Sequence, residues 1–151
     1  LDKAGFIHYE LSNFGKEGYF SKNNSGYWLG NSYLGIGPSA HSFDGKQRSW
    51  NVRNNTKYIK DMQQNTLPIE RELLSKTDAY NEYIMTALRK QEGVSLAHIK
   101  NVFGKTHAAY LEEQVSRHLA IRNLFWDGDH LKIVREAKFL TDGIAADLFL
   151  I

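Results

Sequence analysis

Hydrophobic and polar positions follow two different periods along this chain. From Phe6 to Leu11 they alternate with a period of two. That predicts a strand with Ile7, Tyr9 and Leu11 on one face and Phe6, His8 and Glu10 on the other. Ser12 continues the second face, and Gly5 breaks the short turn before it. Residues 15–28, GKEGYFSKNNSGYW, are rich in glycine and asparagine and predict a long irregular loop anchored by burial of Tyr27 and Trp28. The run YLGIGPSA, Tyr33 to Ala40, predicts a short buried strand whose glycines let another backbone or a ligand come close. HSFDGKQRSWNVR predicts a hairpin turning at Asp44–Gly45, and residues 55–64 predict a helix with Tyr58 and Met62 four apart.

From residue 78 the period becomes helical. Tyr80, Tyr83, Ile84, Ala87 and Leu88 share one face of a predicted helix over 78–91, with Thr77 as N-cap and Gly93 as stop. Ser95 caps a second helix that turns Leu96, Ile99 and Phe103 inward, with Gly104 closing it. A third helix, 106–122, buries Leu111, Val115 and Leu119, and LFWDGDHLKIV predicts a hairpin about Asp127–Gly128. Thr141 caps a closing helix with Ile144, Leu148 and Ile151 on its inner face. The change of period falls near Leu67–Pro68, so the expected organisation is two regions, 1–66 and 67–151. Three helices followed by a hairpin describe a winged helix, and the expected fold class is α+β.

Composition narrows the function classes. The chain has 151 residues, 42% of them hydrophobic, which is the composition of a globular protein. No apolar run approaches the ~20 residues that span a bilayer, and no basic-then-apolar leader is visible, so a cytoplasmic setting is the default expectation. Cysteine is absent, which excludes disulfides, thiolate catalysis and Cys-ligated zinc or iron–sulfur centres on these residues. Residues 1–66 carry eight Lys/Arg against five Asp/Glu, and residues 67–151 carry eleven against twelve. Neither region has the dense basic patch that phosphate-backbone binding needs. The third predicted helix sets Lys105, Arg117 and Arg122 against Glu112 and Glu113, so nucleic acid is not the expected partner. The chain opens with Leu1, and the expectation is a piece of a longer protein with an unpaired strand edge and a tendency to self-associate.

Three stretches could carry chemistry. His8, Glu10 and Ser12 project from one strand face, where an imidazole and a carboxylate can share a proton or a metal, or form a structural pair. GIGPSAH departs from a dinucleotide fingerprint, because Pro38 removes an N–H that a phosphate would use and no Walker lysine follows. Its His41 is either a ligand or proton carrier, or a histidine held by a backbone partner. SKNNSGYW is either a plain turn or a loop closing over a planar ligand, with Tyr27 and Trp28 as flat apolar area and Asn23 and Asn24 as its polar part.

Taken in order, HYELSNF, SKNNSGYW, YLGIGPSAHSF and RSWN resemble the oxygen-independent coproporphyrinogen III oxidase-like family of radical SAM proteins, and within it the heme chaperone (HemW) branch. NEYIMTALRKQEGVS, the FG after a short helix, the DGDHLKI hairpin and LTDG…ADL are similar to that family's C-terminal domain. The resemblance implies that 1–66 is the last part of a radical SAM barrel region with its flanking loops. It implies a winged-helix-like C-terminal domain over 67–151. It implies a parent protein with a [4Fe–4S] cluster on a CxxxCxxC motif, S-adenosyl-L-methionine, and heme or a porphyrinogen as bound species, the heme passing to an acceptor protein. With no cysteine, these residues bind no such cluster, and the piece alone is expected to be inactive. A decarboxylating coproporphyrinogen III oxidase and a stand-alone winged-helix module stay open as alternatives. The branch carries an HNxxYW motif implicated in heme binding. Here Asn23 stands where its histidine is expected, and an amide is a poor iron ligand. The resemblance thus makes His8, Glu10, Asn23, Asn24, Tyr27, Trp28 and His41 the heme- or substrate-binding candidates, with His8 or His41 in place of the missing imidazole.

Overall fold

The structure, a computed structural model, describes residues 1–151. In chain order its elements are β1 (Ile7–Glu10), β2 (Asn13–Gly15), α1 (Lys22–Trp28), β3 (His41–Phe43), β4 (Gln47–Asn51), α2 (Asn55–Gln63), β5 (Ile69–Leu73), α3 (Lys76–Leu88), β6 (Val94–Ser95), α4 (Leu96–Val102), α5 (Lys105–Gln114), α6 (Ser116–Ala120), β7 (Leu124–Asp127), β8 (His130–Ile133) and α7 (Thr141–Asp147). Single 3₁₀ turns lie at Asp2–Ala4 and Arg135–Leu140. The composition is α+β, and no helix is long and apolar enough to cross a membrane.

The chain folds as two compact units, and their boundary differs from the one expected at 66/67. One unit is 1–22 with 76–151, and the other is 23–75. The reason is strand pairing. β5 lies beyond Leu67–Pro68 yet pairs along its whole length with β4, from Asn51↔Ile69 to Gln47↔Leu73. β1 in turn pairs with the segment after α3: the Leu11 amide donates to the Arg89 carbonyl at 2.8 Å, and the Gln91 amide to the Tyr9 carbonyl at 3.2 Å.

In the first unit, α3, β6, α4, α5–α6, β7 and β8 run helix, strand, helix, helix, strand, strand, with the sheet ordered β6-β8-β7. This is the winged-helix arrangement, and β7–β8 is the wing. Its core follows the predicted periodicity. Tyr80, Ile84, Ala87 and Leu88 of α3, Ile99, Phe103, Leu111, Val115 and Leu148 are all buried. Each large aliphatic side chain among them contributes ~1.5–3 kcal/mol by leaving water. Ser95 caps α4 as expected, accepting from the His98 amide at 3.1 Å. Other expectations shift. α3 runs from Lys76 to Leu88, and Gly93 serves a close approach instead: a Cβ there would sit 2.2 Å from the Leu131 carbonyl oxygen. The third helix is divided at Val115 into α5 and α6. Thr141 opens α7 with its hydroxyl turned back to the Lys138 carbonyl, and Ile151 is fully exposed.

In the second unit, β3, β4 and β5 form an antiparallel sheet in that order. Two expectations fail here. Residues 22–28 form α1, not an irregular loop, and Gly30 at φ 71 turns the chain out of it. Tyr33–Ala40 is not a buried strand. Only Tyr33 bridges to Phe43, and Leu34 and Ile36 are 80% and 85% exposed. The apolar residues YLGI read as core, but this unit has no apolar layer to receive them. Within 23–75 only Asn51 and Pro68 are buried.

Candidate ligand-binding site

The second unit gathers five of the seven candidate residues, and the β3–β4 hairpin is its frame. Asp44 makes the turn, its carboxylate accepting from the Gln47 amide at 2.7 Å and the Lys46 amide at 2.9 Å. Those two amides hold the Asp44 carboxyl below its ordinary range. The register sets His41 opposite Trp50 and Phe43 opposite Arg48. Directly opposed residues share a face, and so do residues two apart on one strand. His41, Phe43, Arg48 and Trp50 therefore stand on one face of the sheet.

The chain before β3 is shaped around His41. A Cβ on Gly35 would lie 2.1 Å from the His41 carbonyl oxygen and 2.8 Å from its nitrogen, so only glycine fits over that backbone. The Gly35 amide donates to the Ser42 hydroxyl at 2.9 Å. Asn51, 5% exposed, reaches back with its side-chain amide to the Gly37 carbonyl at 2.8 Å, and its backbone amide donates to the Ala40 carbonyl at 3.0 Å. A buried amide with two such bonds staples the 35–40 segment to the sheet.

Aromatic rings connect this face to α1. Trp28 meets Tyr27 edge-on at 5.0 Å, Tyr27 meets Tyr33 at 5.7 Å, and Tyr33 meets Phe43 at 6.2 Å between centroids. His41 meets Trp50 at 6.0 Å. Burial, with Tyr27 nearby, pushes the Tyr33 hydroxyl up, and the Arg48 guanidinium opposes that shift. Tyr27 is 52% exposed, so the burial expected to anchor it does not occur. Asn23 and Asn24 sit in the first turn of α1. The Trp50 indole N–H donates to the Glu70 carboxylate at 2.8 Å. His41 itself is exposed, and its ring nitrogens meet no protein hydrogen-bond partner. Tyr33, Phe43, Arg48 and Trp50 were not among the sequence candidates. The alternation in HSF opposite RSW was the available signal, since an antiparallel hairpin turning at Asp44–Gly45 puts these four side chains with or beside His41.

His8 and Glu10 lie in the other unit, and both are engaged by their surroundings. The His8 ring stacks on Phe14 at 4.1 Å. Its Nε2 faces the Leu11 carbonyl at 2.9 Å and its Nδ1 faces the Lys138 ammonium at 2.9 Å. A carbonyl accepts and an ammonium donates, so Nε2 carries the proton and both nitrogens are taken. Burial and nearby Arg135 lower the Lys138 pKa, with Asp2 acting against them. Glu10 is 2% exposed. One carboxylate oxygen accepts from the Ser12 amide, the Ser12 hydroxyl and the Asn13 side chain, and the other from Arg89 Nε at 3.1 Å. Burial raises the Glu10 pKa, but the Asn13 and Ser12 hydrogen bonds, with Arg89 behind them, outweigh it and hold the group below its ordinary value. Of the alternatives open for this strand face, a proton shared directly between His8 and Glu10 has no counterpart in these contacts. No three His, Asp or Glu side chains are grouped to hold a metal ion.

Residues 74–140 match the family described as HemN C-terminal domain, the stretch that forms α3 to the wing and the turn after it. Beyond that match, the chain is 31% identical over 149 residues to the heme chaperone HemW of Mycobacterium tuberculosis, covering 98% of this chain and 36% of that protein. It is 31% identical over 157 residues to the heme chaperone HemW of Lactococcus lactis, covering 95% of this chain and 40% of the relative. The coproporphyrinogen III oxidase HemN of Escherichia coli, described as a radical SAM enzyme, has the same fold over 99% of this chain and 38% of its own, with a TM-score of 0.75 at 14% identity. Residues 74–140 thus carry the mark of the HemN C-terminal domain family, and nearly the whole chain is similar to heme chaperones named HemW. The chain spans little more than a third of the length of those chaperones.

Proposed function

We propose that this chain is the C-terminal portion of a HemW-like heme chaperone, and that the His41 face of residues 23–75 receives the heme. The observation that carries the reading is the register of the hairpin: an exposed imidazole stands opposite Trp50 and beside Phe43 and Arg48 on one sheet face. Heme asks for three things, and this face supplies each. An imidazole lone pair ligates iron. Trp50, Phe43, Tyr33 and Tyr27 offer flat apolar area to the macrocycle. The Arg48 guanidinium suits a carboxylate edge group. Asn23 and Asn24 stand on α1 at the far end of the ring series and are assigned polar contacts at the heme edge. His8 and Glu10 are assigned to the fold, because their polar atoms are already bonded.

The family's [4Fe–4S] cluster does not fit these residues. It needs thiolates, and the sequence has no cysteine. Cluster and S-adenosylmethionine chemistry is therefore assigned to parts of the parent outside this sequence. The acceptor protein receives heme from the exposed face, where His41 can exchange ligands without unfolding anything around it.

Titration of the chain with hemin, followed in the Soret region, tests this reading. His41→Ala is expected to abolish the imidazole-ligated spectrum and weaken binding at least tenfold, while His8→Ala leaves both unchanged. An unaltered spectrum and affinity in His41→Ala overturns it. The fold likeness to HemN favours one second reading, a porphyrinogen oxidase. Its substrate carries no iron, so equal binding of iron-free coproporphyrin by wild type and His41→Ala, with no hemin preference, would support that reading instead.

A further inference from the structure

Lys138 lies half-buried on the 3₁₀ turn of residues 135–140, and its ammonium meets His8 Nδ1 at 2.9 Å. A lysine in such a place ordinarily pairs with a carboxylate, and here its hydrogen-bond partner is an imidazole. The other ring nitrogen, Nε2, is held by the Leu11 carbonyl at 2.9 Å, and the ring stacks on Phe14 at 4.1 Å. The carbonyl fixes the tautomer, because it accepts from Nε2–H and leaves the Nδ1 lone pair facing the amine. Amine, imidazole and carbonyl thus form a series. A nucleophile within hydrogen-bond reach of a base, with that base oriented by a third group, is the arrangement that activates nucleophiles for covalent chemistry.

The surroundings favour the neutral amine, the form that attacks carbonyl carbon. Burial lowers the Lys138 pKa, the Arg135 guanidinium lowers it further, and Asp2 opposes both from the turn before β1. Arg135 also bears on what the amine would meet. It stands three residues before Lys138 on the same 3₁₀ turn, and side chains three apart eclipse in that geometry. The amine and the guanidinium therefore share one side of the turn. Arg135 is held by Asp2 at 3.4 Å, with the two side chains 82% and 66% exposed. An ion pair so open to water is weak, and an incoming anion can take the place of Asp2.

We propose that Lys138, with His8 as its base, forms an imine with an aldehyde whose anionic group is held by Arg135. The Nζ lone pair attacks the aldehyde carbon, and a C–N bond forms. The two protons of the amine pass in turn by way of His8 Nδ1 to the former carbonyl oxygen. That oxygen leaves as water, and a C=N bond remains. No electrons are gained or lost, so the step needs no oxidant or reductant. While His8 carries the proton, its Nε2–H stays bonded to the Leu11 carbonyl, which stabilises the imidazolium. The inference does not depend on the heme reading, which leaves His8 to the fold.

The test treats the full chain near neutral pH with glyoxylate, an anionic aldehyde, or with propionaldehyde, a neutral one. Cyanoborohydride reduces each imine to a stable secondary amine, and peptide mass spectrometry maps the labelled lysines. Lys138 is expected to take up glyoxylate at least tenfold faster than the exposed Lys105, with a pH profile that levels off below the ordinary lysine value of 10.5. His8→Phe keeps a flat ring against Phe14 and removes the base, and it is expected to slow labelling of Lys138 at least tenfold. Arg135→Ala is expected to erase the preference of Lys138 for glyoxylate over propionaldehyde. Labelling of Lys138 no faster than of Lys105 overturns the proposal. So does a His8→Phe chain that keeps its near-ultraviolet circular dichroism and labels Lys138 at the wild-type rate, and so does a glyoxylate preference that survives Arg135→Ala. Should His8→Phe fail to fold, the wild-type comparison of Lys138 with Lys105 decides.

Discussion

A methyl group at Gly35 has nowhere to go, because it would sit 2.1 Å from a carbonyl oxygen and 2.7 Å from the carbonyl carbon of His41. Backbone atoms cannot step aside as the end of a long side chain can. Gly35→Ala is thus expected to displace β3 and cost about 1–3 kcal/mol, the range for overpacking a closed contact. It should also weaken hemin binding, because His41 moves with β3. Thermal melting and the Soret titration check the two halves, and an alanine variant with wild-type values in both would show that the contact is not what positions His41. The resemblance to phosphate-cradling loops at GIGPSA is superficial for the same reason. Gly35 makes room for the chain's own backbone, and Gly37 supplies a φ of 101.

β1 is tied to the turn after α3 by two backbone bonds and by one buried ion pair, Glu10 with Arg89. Arg89 also reaches the exposed Asp142 at 2.9 Å, so one guanidinium joins β1, the end of α3 and the start of α7. The Glu10 pKa is held below its unfolded value of about 4.5. A depressed carboxylate stabilises the fold fully above the unfolded value, and that contribution is lost as pH falls through the folded value. Glu10→Ala is expected to cost about 3 kcal/mol near pH 7, since it removes the buried carboxylate that Arg89 Nε bonds. The gap between wild type and variant should narrow as pH falls below the unfolded value. Urea unfolding at several pH values measures it, and a gap independent of pH would remove the ion pair as its cause. The α1 helix teaches the opposite lesson at this scale. Asparagine, serine and glycine favour turns, yet residues 22–28 are helical.

Across the whole molecule, burial is uneven. Apart from Pro68, every buried apolar side chain belongs to the unit of residues 1–22 and 76–151. The 23–75 unit exposes Leu29, Leu34, Ile36, Ile59, Leu67 and Leu73, each more than half. It rests on strand pairing and on Asn51 rather than on an apolar core. Native-state hydrogen exchange is expected to reflect this division, with amides of α3 and α5 at least tenfold more protected than those of β3, β4 and β5. Uniform protection would contradict it.

The winged-helix half was legible because its information is local and periodic. Tyr80, Ile84 and Leu88 must face one way on any helix, Ser95 must cap whatever follows it, and Asp127–Gly128 must turn. The lack of thiolates was equally plain from the letters alone, and so was the family resemblance, through several ordered motifs. Pairing between distant strands is not written locally. The β4–β5 ladder carried the unit boundary past Leu67–Pro68, and the Glu10–Arg89 pair joined residues 79 positions apart. The same folding engages both His8 nitrogens and leaves His41 exposed among aromatic rings. Which of two histidines stays free is settled by what packs against each, and a sequence lists residues without listing their neighbours in space.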